Sequence, residues 1–103
     1  MRRNSMDNLI SIIIPVKDGS NYIHQALDAI ISQDIPKEII VVDDNSNDNT
    51  SQIAKEKGCT VIKNITTKGP AECKNIGLKH AKGNYIMFHD HDDVINKDTL
   101  RIL

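Results

Sequence analysis

The sequence predicts an α/β fold, an open and mostly parallel sheet with flanking helices. Three features carry that expectation. Short apolar runs rich in β-branched side chains recur at 9–16, 38–42, 59–63 and 84–88, and runs of that length suit strands covered on both faces. The stretches between them show helical spacing or helix-stop residues. Two of the runs, 38–42 and 84–88, empty directly into acidic segments. Strands alternating with helices make βαβ units, whose right-handed crossovers give a mostly parallel sheet. The carboxyl ends of all four strands are therefore expected at one end of the molecule.

Residues 1–8 read as a disordered leader, and the domain is expected to fill 9–103. LISIIIPV is the first strand, closed by Pro15 and Gly19. Ser20 or Asp18 is placed to cap a helix on which Ile23, Ala26, Leu27, Ile30 and Ile31 recur at helical spacing. Pro36 ends any continuation of that helix. EIIVV is the second strand, followed by a short helix over 50–57, with Asp48 or Asn49 as cap and Gly58 where the backbone turns left-handed. After the third strand comes a helix over 70–82, with Pro70 in its first turn and Gly83 just past its end. Its packing face is expected to be Ala71, the stem of Lys74, Ile76, Leu78 and Ala81. NYIMF is the fourth strand.

The 103 residues carry 13 basic and 14 acidic side chains, a formal net charge of -1. That length fits one small globular domain. So even a balance creates no field to gather nucleic acid, which is excluded as a first expectation. No apolar run approaches the length of a membrane span, and the charged start MRRNSMDNLI lacks a secretory core, so a cytoplasmic protein is expected, with the inner face of the membrane as a place it could work. Cys59 and Cys73 are too few for a disulfide framework and are expected as reduced, mostly buried thiols.

Ligands of open parallel sheets bind outside the carboxyl ends of the strands, near the point where strand order reverses. Segments 15–18, 43–46 and 90–93 should all rim that crevice. Carboxylates gathered there repel one another unless a cation or a hydrogen-bonded ligand compensates them. Oxygen donors of this kind suit magnesium or manganese, which commonly take their remaining ligands from substrate phosphates. Taken singly, Asp43 and Asp44 could equally be solvated turn residues. Asp90, Asp92 and Asp93 are harder to leave uncompensated. His89 and His91 are read as bystanders, because no second cluster supports a closed zinc site.

The ordered motifs ISIIIPVKDGSNYIHQALDAIISQ, IIVVDDNSNDNT and GPAECKNIGLKHAKGNYIMFHDHDD resemble the first half of a family 2 glycosyltransferase, of the Rossmann-like type A nucleotide-diphospho-sugar transferase fold. The resemblance implies that Pro15 and Val16 contact the nucleoside, with Lys17 and Asp18 at positions where the family commonly has an aromatic residue and Asn. It implies that Asp44 accepts the imide N–H of uracil or its equivalent, with Asp43 supporting the loop. Lys74 would lie near the base or phosphates, with Asn75 and Gly77 shaping the helix beside the pocket. Asp90 would face the ribose or the metal, and Asp92, completing the Asp-x-Asp motif, would hold Mn2+ or Mg2+ bridging the diphosphate. His91 stands where the family usually has a small residue and would alter the pocket wall. The donor implied is a nucleotide-diphospho-sugar, by default a uridine one. The acceptor half and its general base would lie beyond Leu103, so this stretch by itself is expected to be incomplete for transfer. The acceptor classes in view are a glycan or a lipid-linked glycan.

Two other readings stand beside this one. IIVVDDN also opens phosphoacceptor receiver domains, in which case Asp90 would take the phosphate; a strand and helix before Glu38 are then unexplained. Alternatively the chain is a noncatalytic unit whose exposed sheet edge pairs two copies into a homodimer.

Overall fold

The computed structural model describes residues 9–66 and 69–89. The expectations for 1–8 and for Asp90, His91, Asp92 and Asp93 lie outside them. Four strands, β1 (Ile10–Val16), β2 (Lys37–Asp43), β3 (Thr60–Lys63) and β4 (Tyr85–Phe88), alternate with three helices, α1 (Ile23–Ile31), α2 (Thr50–Glu56) and α3 (Pro70–His80). The strands form one sheet in the order β3-β2-β1-β4. Every pairing is parallel, with Val16 opposite Asp43, Asp43 opposite Lys63, and Ile13 opposite Phe88. The expected α/β architecture and the shared carboxyl end are both present.

The order reverses at β1. From β1 the chain steps outward through β2 to β3, then returns to the far side of β1 for β4. Right-handed crossovers running in opposite directions must put their helices on opposite faces. Accordingly α1 and α2 cover Ile10, Ile12, Ile14, Val16 and Val41, while α3 covers Ile13, Ile40 and Val42 through Cys73. All seven residues of β1 are buried, as its unbroken apolar run requires when both faces are covered.

Differences from the sequence expectation arise at helix ends, on α3 and at β4. Neither Ser20 nor Asp18 caps α1: its N-cap is Tyr22, without a side-chain cap bond. Both residues are held instead by the neighbouring loop, described below. The strong periodicity of α1 is realised, with Ile23, Ala26, Leu27 and Ile30 buried and Ile31 left 42% exposed at its end. Helix α2 stops just before Gly58, whose φ is +86°. Helix α3 ends at His80 rather than 82, and its buried residues are Cys73 and Gly77, flanked by the partly buried Ile76 and Ala81. Ala71 and Leu78 face outward. The reason is closeness: a Cβ at Gly77 would sit 2.4 Å from Ile13 Cγ2, so the helix touches β1 along its small residues rather than its largest one. The core assignment also fails at β4, the outermost strand beside β1 among the described residues, whose Tyr85, Ile86 and Phe88 are 44%, 41% and 43% exposed.

At the amino end of the sheet a polar clasp joins three segments. Ser11, fully buried in β1, donates to Glu38 Oε2 at 2.5 Å and accepts from Gly83 N at 2.8 Å, while Lys82 N donates to the same carboxylate oxygen at 2.5 Å. Gly83 is thus less a helix stop than a close approach: a Cβ there would meet Leu9 O at 2.6 Å and Ser11 Oγ at 2.7 Å.

Candidate nucleotide-sugar site

At the opposite end, parallel register brings the chain after β1, β2 and β3 side by side. Side chains alternate across a strand, and this divides the Asp43–Asp44 pair. Asp43 points to the α2 face, where its carboxylate accepts Ser46 N at 2.9 Å and the Ser51 hydroxyl. Asp44 points to the α3 face. Its backbone N–H extends the ladder to Val16 O at 2.7 Å, and its Oδ1 accepts Asn64 Nδ2 at 3.3 Å. Asp43 is 2% and Asp44 8% exposed, so neither is a solvated turn residue.

Asn64 is buried and follows β3, with its N–H on Asp43 O at 2.7 Å. Its amide also donates to Glu72 Oε1 at 2.6 Å and lies 3.8 Å from Cys73 Sγ, while its Oδ1 accepts Thr66 Oγ1 at 2.8 Å. With two carboxylates on one side and a hydroxyl donor on the other, the amide has one sensible orientation. Burial pushes the Cys73 thiol above its usual value, and the neighbouring Asp44 and Glu72 carboxylates add to that against the bond from Asn64. Cys59, partly buried near the amino end, is pushed by burial to about 11, with Lys57 opposing. Both are free thiols held in their neutral form.

The loops after β1 and β2 are laced together. Asp18 N donates to Ser46 Oγ at 2.7 Å and Asn47 N to Asp18 Oδ1 at 2.7 Å. Gly19 N donates to Thr50 Oγ1 at 3.0 Å, and Ser20 N to Asp48 Oδ2 at 3.1 Å. Asp48 in turn accepts Thr50 N at 3.1 Å and the Thr50 hydroxyl, while the N-cap position of α2 falls to Asn49, the other expected candidate, without a side-chain cap bond. Burial alone would raise the Asp48 carboxyl, but the bonds from Thr50 and Ser20 outweigh it and bring it down to about 2. Asp18 and Asn45 hold φ of +50° and +59°, left-handed conformations that cost a non-glycine residue and persist where surrounding bonds fix them.

The remaining sequence-selected residues fall as follows. Pro15 and Val16 are buried at the end of β1, the Val16 side chain in the core beneath α1. Lys74 is half-buried on α3, its ammonium 5.5 Å from the centroid of the Phe88 ring. His89 N–H bonds to Ile13 O at 3.0 Å, continuing the pairing of β4 with β1. Asp90, His91 and Asp92 themselves lie outside the described residues. Among the described residues no group of three metal-ligating side chains forms. Sequence reasoning missed Asn64, Glu72, Ser46 and Ser51. The available signal was positional, since Asn64 follows a parallel strand just as Asp43–Asp44 and Asp90–Asp92 do.

An all-parallel sheet reversing at β1, with helices on both faces and an acidic carboxyl rim, is the type A glycosyltransferase architecture, and solved structures bear this out. The crystal structure of residues 1–349 of TarS from Staphylococcus aureus matches with a TM-score of 0.80 at 38% identity, over 88% of this chain and 29% of that one. The mannosyltransferase PcManGT from Pyrobaculum calidifontis, solved with GDP-Man and Mn2+, matches with a TM-score of 0.82 at 28% identity, over 88% and 30%. The chain belongs to glycosyltransferase family 2, matching "Glycosyl transferase family 2" over residues 11–103. Among relatives, it is 38% identical over 99 residues to the poly(ribitol-phosphate) beta-N-acetylglucosaminyltransferase TarS of Staphylococcus aureus, covering 88% of this chain and 17% of that protein. It therefore spans a small part of the length of the curated relatives it matches. No helix among the described residues is long and apolar enough to cross a membrane.

Proposed function

We propose that this chain is the donor-binding region of a glycosyltransferase, holding a nucleotide-diphospho-sugar at the carboxyl rim for transfer of the sugar to an acceptor. The observation that carries the reading is the meeting of three post-strand segments around Asp44, beside the strand where the order reverses. TarS, 38% identical, has also been solved in complex with UDP, which supports a nucleotide at this rim. In this reading Asp44 accepts the base imide and Asp43 braces the turn. Pro15 and Val16 close the nucleoside end, and Asp18 fixes the adjoining loop.

Lys74, steadied over Phe88, supplies positive charge for the diphosphate. Asp90 and His91 are assigned to the ribose side, and Asp90 with Asp92 to a divalent Mn2+ or Mg2+. The described residues do not themselves make that site, while carboxylate oxygens are the donors such an ion requires. When bound, the ion would neutralise the diphosphate and stabilise it as a leaving group. Family membership over 11–103 includes the strand and helix that the receiver reading left unexplained.

Titration calorimetry with UDP and GDP, each with and without Mn2+, tests the assignment. Saturable, Mn2+-enhanced UDP binding is expected, and Asp92→Ala is expected to remove the enhancement while leaving the fold unchanged. No heat from either nucleotide at millimolar concentrations would overturn the reading.

A further inference from the structure

The carboxylate assigned to the base is itself oriented by a neighbour that no sequence motif singled out. We propose that Asn64 is a specificity-determining positioning residue: by holding Asp44 Oδ1 toward the protein interior, it turns the carboxylate to present one oxygen rather than both to the ligand and so selects a uracil base over guanine. This rests on the donor-binding reading above.

The geometry behind it is local. Asp44 is almost buried, and its Oδ1 is engaged from inside the protein by Asn64 Nδ2 at 3.3 Å. The same amide is anchored elsewhere: Nδ2 donates to Glu72 Oε1 at 2.6 Å, and Oδ1 faces Thr66, whose N–H donates at 3.3 Å and whose hydroxyl, 2.8 Å away, is shared with Glu72 Oε1. The Asn64 backbone is tied to Asp43 O at 2.7 Å, so the side chain springs from the sheet rather than from a free loop. An amide fixed at both ends cannot follow the carboxylate if it rotates; Asp44 must orient to the amide. Uracil offers one imide N–H, which one oxygen satisfies. The Watson–Crick edge of guanine offers two adjacent donors, which a carboxylate meets best with both oxygens. A base whose second donor is left without an acceptor in a desolvated site is penalised.

The test is calorimetry on the full chain with excess Mn2+ and three probes: UDP, UDP methylated at N3, and GDP. The unaltered chain is expected to bind UDP about tenfold or more tightly than either other probe, the scale of one hydrogen bond to a charged group. Asn64→Ala should lower UDP affinity by about tenfold, leave the N3-methylated nucleotide unchanged, and bring UDP and GDP together. In the Asp44→Asn background the same substitution should have no further effect, which a general loosening of the pocket would not reproduce. Should Asn64→Ala not fold, Thr66→Val at an exposed position removes one anchor of the amide and is expected to narrow the UDP preference severalfold. Equal loss for UDP and its methylated form, or an unchanged preference in both variants, would overturn the inference while donor binding stands. Failure of the unaltered chain to bind any probe would remove the donor reading and this inference together.

Discussion

The two ends of the sheet each hold a carboxylate among polar groups, partly buried at Glu38 and buried at Asp44, and they satisfy it differently. At the amino end Glu38 Oε2 takes two short bonds, from the Ser11 hydroxyl and Lys82 N, and Ser11 is itself saturated by Gly83 N. At the carboxyl end Asp44 takes a long bond from an amide more tightly committed to Glu72, with only the weakly donating Cys73 thiol beside it. A carboxylate filled by its own chain serves the fold; one left short of donors can serve a ligand. Asp43, next to Asp44, belongs to the first kind, since Ser46 and Ser51 occupy both of its oxygens. The distinction is therefore made residue by residue.

The largest expected effect is at the amino end. Glu38→Ala leaves the buried Ser11 hydroxyl and the 82–83 turn without their acceptor, and a loss of about 2 kcal/mol of folding stability is expected. Urea denaturation measures it. Nucleotide affinity of the folded variant should stay within about twofold, the scale of a substitution with no shared partner; a larger drop would mean the two ends are not independent. Asp44→Ala should show the opposite profile. Its expected stability change is below about 1 kcal/mol, whereas UDP affinity falls at least about tenfold. Equal damage to folding would make Asp44 a structural carboxylate like Glu38.

The smallest effect comes from the exposed Asp48, which laces the rim loops. Its folded value of about 2 lies below the ordinary 3.8, so its contribution is present above pH 3.8 and is lost as pH falls toward about 2. Asp48→Asn should flatten that part of the acid limb of the stability profile. An acid limb identical in the variant would assign the loss to other carboxylates.

Strand and helix existence could be read in the sequence because apolar period and stop residues act locally: the β1 run, the α1 stripe and the Gly58 stop all appear where expected. Helix caps could not be read so readily. Asp18 and Ser20 had the right chemistry for capping α1, but the loop after β2 offered them better partners, some 28 residues away in sequence. The face of α3 was misjudged for a related reason. Counting apolar bulk favours Leu78, whereas the packed distance to Ile13 admits only Gly77.

By itself, then, the sequence determined which segments become strands, that the strands run parallel, and that acidic residues gather at one end, because each follows from short-range periodicity and the handedness of crossovers. Only the tertiary structure decided which acid faces which helix, that Asn64 braces Asp44, and that the large side chains of β4 stay half-exposed among the described residues. Those outcomes depend on contacts between segments far apart in the chain, and their geometry is set by register and close packing that no local pattern encodes.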